Sequence, residues 1–274
     1  MPDDLHQQNS VSEREIEDVE EHSRLRAPVV YEIVRREGDS EMERPGASLW
    51  WSGLAAGLSI SFSLLVQGVL RCHLPESAWR PLLVSLGYPV GFLIVVLGRQ
   101  QLFTENTVTV VLPVMAEFTL HNVRRLARMW GIVFAANMAG TFLSAVFCCF
   151  APALSEELRG AMIAVAQEAM QPGWVEMLFR AVSAGFLIAA MVWLLPSAEG
   201  TQFHVICLTT YIIGAAQFAH IIAGSVEAFL LVVHGDIGLG HMVWHFTLPA
   251  LLGNVIGGTA LFAVLSYAQV MKEM

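Results

Sequence analysis

Six apolar stretches follow one another along the chain, and each is long enough for a membrane-spanning helix. A helix needs roughly 20 mostly apolar residues to cross about 30 Å of hydrocarbon. The stretches cover residues 49–70, 82–115, 130–151, 174–195, 203–233 and 242–270. The second and fifth are too long for one plain span, and both carry polar residues in the middle. The pattern predicts an all-α membrane protein with six transmembrane helices, the second and fifth of them interrupted.

The charged residues are concentrated at one end of the chain. Residues 1–46 hold 13 acids and 6 arginines. The whole chain nevertheless has a mean hydropathy of +0.58 and 55% hydrophobic residues, which excludes a soluble protein. Nothing in this charge distribution indicates nucleic-acid binding. The chain therefore divides into an acidic N-terminal tail, 1–46, and a membrane domain, 47–274.

The tail has an apolar stripe at Val29, Val30, Ile33 and Val34 among charged neighbours. Two interpretations remain open for this segment. It forms a surface helix with one apolar face, or it is a solvated arm.

Basic residues near the predicted membrane boundaries indicate the orientation, because cytoplasmic loops carry an excess of arginine and lysine. The majority fall in the tail, between the second and third spans, and after the sixth: Arg35, Arg36, Arg44, Arg124, Arg125, Arg128 and Lys272. Arg71 and Arg80, in the first link, favour the opposite side. The majority predicts that both termini are cytoplasmic.

A short internal sequence repeat divides the spans into two halves. Residues 136–141 (ANMAGT) in the third span resemble residues 253–259 (GNVIGGT) in the sixth. The polar interruptions upstream fall near 103–106 and 218–225, which pairs Phe103 with Phe218. Three spans per half predict that the halves insert with opposite orientation. Polar breaks at matched places in inverted repeats indicate the site of a transporter or channel.

The residues at these breaks resemble the formate/nitrite transporter family. Residues 102–104 (LFT) are similar to the family's second-helix break, 218–220 (FAH) to its fifth-helix break, and 253–258 (GNVIGG) to its sixth-helix signature. The resemblance covers about 47–270 and is strongest to a divergent branch in the bacterial inner membrane, the YfdC-like proteins. It implies aquaporin-like protomers in a homopentamer, each with its own pore for small monovalent weak-acid anions.

The same resemblance assigns residues to the substrate pathway. It implies an inner constriction of Leu102 and Phe103 and an outer one at Phe218. His220 lies between the constrictions, and Thr104 lies on the loop beside the histidine.

Three positions depart from the family pattern. Gly173 stands where the family usually has a lysine before the fourth helix, and Ala189 replaces an asparagine of that helix. Glu105 replaces a small residue after the break threonine. These departures concern the substrate more than the fold.

Single residues add candidate chemistry. His220 lies in the middle of a span, and an intramembrane ionisable residue is a functional candidate; it either donates a proton to an entering weak-acid anion or is hydrogen-bonded in a helix interface. Glu105 either caps a half-helix or faces the lumen. Asn137 and Asn254 also belong to the candidate pathway; they are expected to fix the broken backbone, since an amide offers two donors and an acceptor, and contact with the solute is the alternative.

No motif indicates an enzyme or a bound cofactor. His241 and His245 share a helix face with metal-ligand spacing, but at a membrane boundary we interpret them as interfacial residues rather than a metal site. The expected partners are the lipid bilayer, a small anion or neutral weak acid, and further copies of the chain. A pore for a small neutral solute and a non-conducting membrane scaffold are the alternative functions.

Overall fold

The computed structural model describes residues 25–273, a range that contains helices and turns but no β-strand. Ten helices make up this part of the chain: α1 (Ala27–Glu43), α2 (Gly46–His73), α3 (Arg80–Leu97), α4 (Val111–Ala116), α5 (Leu120–Phe150), α6 (Glu156–Ala169), α7 (Trp174–Ser197), α8 (Gln202–Ala215), α9 (Ile221–His234) and α10 (Leu239–Val270). The predicted all-α membrane fold is confirmed.

Five of these helices, α2, α3, α5, α7 and α10, are long and apolar enough to cross a membrane. The other two apolar segments are the 14-residue helices α8 and α9, which are separated by a break at residues 216–220. A wider break at 98–110 separates α3 from the short helix α4. The second and fifth predicted spans are therefore both interrupted. The second interruption is shorter than predicted, since 221–225 already belong to α9.

Two helix boundaries differ from the sequence expectation. Helix α5 begins at Leu120 instead of residue 130, because the Thr119 hydroxyl caps it by accepting the Asn122 N–H at 3.2 Å. The predicted link 152–173 contains α6, which Ser155 caps in the same way. The hydropathy pattern predicts links for both segments because their first turns are polar, and hydropathy does not separate a polar helix from a loop.

Small residues bring the helices of each half into close contact. Helix α2 packs on α5, where a Cβ on Gly57 would lie 2.4 Å from the carbonyl oxygen of Asn137. Helix α7 packs on α10 in the same manner, since a Cβ on Gly185 would lie 2.4 Å from the carbonyl oxygen of Asn254. Only glycine permits such backbone contact. Each half therefore has its own tightly crossed helix pair.

The tail segment that the structure describes forms helix α1, so the helical interpretation is confirmed for residues 27–43; residues 1–24 lie outside the described residues. Val30 and Val34 are buried in its packed face, whereas Val29 and Ile33 are exposed. At its solvent side the Arg35 guanidinium, followed by that of Arg36, lowers the pKa of Glu32 to about 2.

Helix α1 rests directly on the first break through Gly38. A Cβ at this position would lie 1.9 Å from the Thr109 carbonyl oxygen, so Gly38→Ala is expected to displace α1 and to destabilise its docking by about 1–3 kcal/mol. Hydrogen–deuterium exchange of residues 27–43 measures the effect. Gly160→Ala in α6 is the control, since a Cβ there meets nothing within 4 Å. Unchanged exchange in Gly38→Ala would contradict the packing.

Candidate functional site

The two breaks begin with the same backbone turn. Arg99 and Gln217 adopt left-handed conformations with φ of 49° and 54°, which is uncommon for residues other than glycine. After each of them the chain closes a six-residue turn: the Gln100 N–H donates to the Val95 carbonyl, and the Phe218 N–H to the Ile213 carbonyl, both at 2.9 Å. This is the Schellman pattern that ends helices. The two breaks are therefore equivalent in backbone geometry.

A buried asparagine holds the first break. The Asn137 side chain, on α5, accepts the Phe103 N–H at 2.9 Å. Its amide nitrogen donates to the carbonyls of Gly53 and Gln101, both at 2.8 Å. The amide thus ties the loop to α2 and α5, as predicted.

Asn254, on α10, holds the second break with the same three bonds. It accepts the Ile221 N–H at 2.8 Å and donates to the carbonyls of Ala181 and Ala219 at 2.8 and 2.9 Å. Because Asn137 binds Phe103 where Asn254 binds Ile221, these two positions correspond. The sequence pairing of Phe103 with Phe218 is therefore wrong by three residues, and Leu102 corresponds to His220.

His220 and Thr104 join the two breaks in the interior of the described chain. The histidine Nε2 lies 2.7 Å from the Thr104 hydroxyl, and both side chains are almost fully buried. The other ring nitrogen, Nδ1, accepts the Ala223 N–H at 3.1 Å and so caps α9. In a neutral ring this places the proton on Nε2, which then donates to the threonine. The Phe92 ring packs on the histidine in a T-shaped arrangement, with centroids 4.9 Å apart.

Two cavities approach this pair from opposite breaks. The first, of about 590 Å³, lies beneath helix α1 and is lined by Glu37, Glu41 and Leu102 among others; we call it the α1 cavity. The second, of about 220 Å³, is lined by three arginines, Arg71, Arg80 and Arg180, together with Phe218 and His220; we call it the arginine cavity.

The structure brings most of the predicted pathway residues to this region. Leu102 lines the α1 cavity, Phe218 and His220 line the arginine cavity, and Thr104 joins the histidine. Phe103 lines neither cavity. Its ring packs on Trp130 and Phe134 of α5, with centroids 5.6 and 5.2 Å apart.

The arginines of the second cavity were not identified as site residues from the sequence. Arg71 forms a bidentate pair with Glu168 at 2.7 and 2.9 Å, and Arg80 pairs with Glu76. Arg180 binds Glu176 at 2.7 Å. An arginine within a predicted span was the available signal for this last residue.

Arg180 also reaches the second break. Its guanidinium donates to the Gln217 carbonyl at 3.2 Å, which supports the left-handed residue. It lies on α7, the helix that begins directly after Gly173. A positive charge is therefore present in the cavity although the family's lysine is missing.

Two carboxyl groups lie in the cavity walls without hydrogen bonds from any residue between 25 and 273. Glu105 lines the α1 cavity, and its Oε1 is buried without a partner. Glu227 is 7% exposed and lines the arginine cavity. Glu105 lies in the short turn Glu105–Thr107 of the first break, so its lumen-facing role and its capping role both stay predictions.

The histidines of the sixth span lie apart from both cavities. His241 and His245 stack with ring centroids 4.0 Å apart, and His234 pairs with Asp236 at 2.9 Å. Within the described range, no three histidine, cysteine or acidic side chains are grouped to hold a metal ion.

Comparisons with known proteins agree with this geometry. Residues 28–268 match the family model described as "Formate/nitrite transporter". The chain is 42% identical over 261 residues to the inner membrane protein YfdC of Escherichia coli, covering 95% of this chain and 84% of that protein. It is 25% identical to the formate channel BtFdhC of Bacillus thuringiensis, covering 89% and 95% of the two chains.

A solved structure shares the fold. A structure described as a pentameric formate channel with formate bound superimposes with a TM-score of 0.69 at 18% identity, covering 83% of this chain and 98% of that chain. The match over nearly all of the described helices, together with the 42% identical relative, establishes the family. The chain belongs to the formate/nitrite transporter family.

Proposed function

We propose that the protein carries small monovalent weak-acid anions of the formate and nitrite type across the membrane. The observation that supports this most strongly is the contact between His220, which lines the arginine cavity, and Thr104, which belongs to the break that borders the α1 cavity. A solute that crosses must leave one cavity, pass this polar pair and enter the other. An ion pays a large desolvation penalty on such a path, whereas its neutral acid largely avoids it. We therefore infer that the solute crosses as the neutral acid.

The chain is proposed to cross a bacterial inner membrane six times as two inverted three-helix repeats, with both termini cytoplasmic. The inner-membrane relative and the basic residues of the tail support this orientation. Helix α1 then lies on the cytoplasmic side, so the α1 cavity is the inner vestibule and the arginine cavity the outer one.

We further propose a homopentamer with a separate pathway in each protomer. The pentameric formate channel of the same fold supports this assembly. Large exposed apolar side chains of the membrane helices, such as Phe147, Phe179 and Leu208, offer surface for lipid and for neighbouring subunits. The pathway itself lies between helices of one protomer, since residues of a single chain line both cavities.

A pore for a small neutral solute is the second candidate. It is favoured by the charge balance of the arginine cavity, where Arg71, Arg80 and Arg180 are each paired with a glutamate. Paired arginines attract an anion less strongly than a free lysine, because the partner cancels most of the field at a distance.

Flux measurements distinguish the two functions. Proteoliposomes containing the purified protein are assayed with formate, nitrite, hydrosulfide and glycerol over a series of pH values. For a weak-acid pathway, formate flux should increase as pH falls, because a larger share of the solute is present as the neutral acid. Glycerol flux without formate flux at any pH would instead establish the neutral-solute pore.

A further inference from the structure

Glu227 is the carboxyl group in the arginine cavity that has no arginine partner. The two other acids of this cavity, Glu76 and Glu168, are paired with Arg80 and Arg71. Glu227 instead lies deep on α9, two turns and about 10 Å beyond His220. No hydrogen bond from the described part of the chain reaches its carboxyl oxygens, although the side chain is nearly buried. The carboxyl group thus borders the cavity without a hydrogen-bond partner in the described part of the chain.

The position of Glu227 on α9 connects it with the centre of the protomer. His220, Gly224 and Glu227 follow the i, i+4, i+7 spacing of one helix face, and all three line the arginine cavity. Gly224 has no side chain on this face, so the Phe246 ring packs directly against it. A Cβ at this position would lie 2.7 Å from the ring. A solute in the cavity therefore meets Glu227 before it meets the histidine.

The chemistry of an unpaired carboxyl group at this depth is that of the neutral acid. An ionised carboxylate without hydrogen bonds in a membrane interior is costly, and the group remains protonated to avoid the cost. A protonated carboxyl group offers one O–H donor. It can therefore bind an entering anion by a charge-assisted hydrogen bond and transfer the proton along it.

His220 is less suited to that transfer. Its Nδ1 accepts the Ala223 N–H, and its Nε2 lies at hydrogen-bond distance from Thr104. A second ring proton would have to enter at Nδ1, where it would face the Ala223 N–H and remove the cap of α9. The hydrogen bonds therefore favour a histidine that stays neutral and donates from Nε2.

Other ionisable groups act on Glu227 through the shared cavity. They come from α2, the following link, α3, α6, α7 and the second break: Arg71, Glu76, Arg80, Tyr88, Glu168, Arg180 and His220. Helices α5 and α10 bring no ionisable side chain to this cavity within residues 25–273. Each of these arginines forms an ion pair with another glutamate. Its charge is therefore largely neutralised, and none of the three pairs with Glu227.

We propose that Glu227, and not His220, exchanges the proton with the weak-acid anion, and that the neutral acid then passes the His220–Thr104 pair. This inference rests on the proposed transport of weak-acid anions. In the step, the carboxyl O–H bond of Glu227 breaks and an O–H bond forms on the bound anion, which becomes the neutral acid. The Glu227 carboxylate then takes a proton from hydronium in the cavity water, and the cycle transfers one proton with each anion.

The test compares formate with formamide, a neutral molecule of nearly the same shape that needs no proton. Glu227→Gln is expected to lower formate flux in proteoliposomes at acidic pH by about tenfold or more, because anions that enter the cavity are then not protonated there and meet the full cost of crossing as ions. The increase of flux with falling pH should become weaker and keep only the part that comes from acid already neutral in solution, while formamide flux stays within about twofold. Glu227→Asp keeps the acid and should restore the pH dependence. Glu157→Gln removes an exposed carboxylate from α6 and serves as the control.

The possible failures are distinguishable. Wild-type protein that passes formamide but no weak-acid anion at any pH would overturn the proposed function and this inference with it. Wild-type formate flux that is unchanged in Glu227→Gln would overturn the inference alone. Equal losses of formate and formamide in Glu227→Gln would also overturn it, since they would show a structural role. Size-exclusion chromatography of each variant confirms that the assembly measured is the same.

Discussion

Formate flux is expected to fall by about ten- to a hundredfold when His220 is replaced by phenylalanine. The ring nitrogen that bonds to Thr104 is a buried polar group between the two breaks, on the proposed pathway. A polar group left without its hydrogen bond in a buried site costs about 1–3 kcal/mol, and each 1.36 kcal/mol in a barrier corresponds to a tenfold change in rate. Flux of formate and of formamide into proteoliposomes measures the effect, and both should decrease.

His220→Asn is the matched variant for this experiment. Asparagine is a good helix cap, so it keeps the bond to the Ala223 N–H that the phenylalanine loses. Its shorter side chain does not reach the Thr104 hydroxyl as the imidazole does. Flux that is low in both variants would assign the effect to the Thr104 contact. If His220→Phe transported formate at the wild-type rate, the histidine would not be part of the pathway.

Replacement of Asn254 by leucine is expected to have the largest effect on stability. The Ile221 N–H and the carbonyls of Ala181 and Ala219 would lose their partner in a fully buried site. Each unsatisfied buried group costs about 1–3 kcal/mol, so the total loss is on the order of 5 kcal/mol. Thermal unfolding in detergent should show a much lower melting temperature or no assembled protein.

Two further variants test the explanation. Asn137→Leu removes the equivalent three bonds from the first break and should have a similar effect. Leu252→Ala, at a half-exposed position on α10, removes apolar volume two residues away without touching the break. A melting temperature for Asn254→Leu equal to that of wild type would contradict the bracing role.

Much of the fold could be predicted because the membrane imposes it. Long apolar stretches identify spanning helices, and polar residues inside the second and fifth identified the breaks. The polar helices α1 and α6 were harder, because hydropathy alone does not distinguish them from solvated links. The start of α5 at Leu120 depended on the Thr119 cap, a local hydrogen bond that periodicity does not report.

The site was predicted in part. His220 and both asparagines were identified because polar residues in apolar spans are conspicuous, whereas Thr104 was assigned by the family resemblance. The alignment between the two halves was predicted wrongly. Phe103 and Phe218 are the same residue type at similar places in the sequence, but the asparagine hydrogen bonds match Phe103 with Ile221. Arg180 was missed, since its approach to Gln217 depends on how α7 packs beside the second break.

The three hydrogen bonds made by each of Asn137 and Asn254 also determine which parts of the protein can move during a transport cycle. A break that swung outward would expose three backbone groups at once, and the cost of such an opening applies to each turnover. Motions of that kind limit many transporters to the microsecond-to-millisecond range. With both breaks fixed to neighbouring helices, the rate is instead set by solute diffusion and proton exchange. Kinetically, the protein should behave as a channel with a stationary barrier and not as an alternating-access carrier.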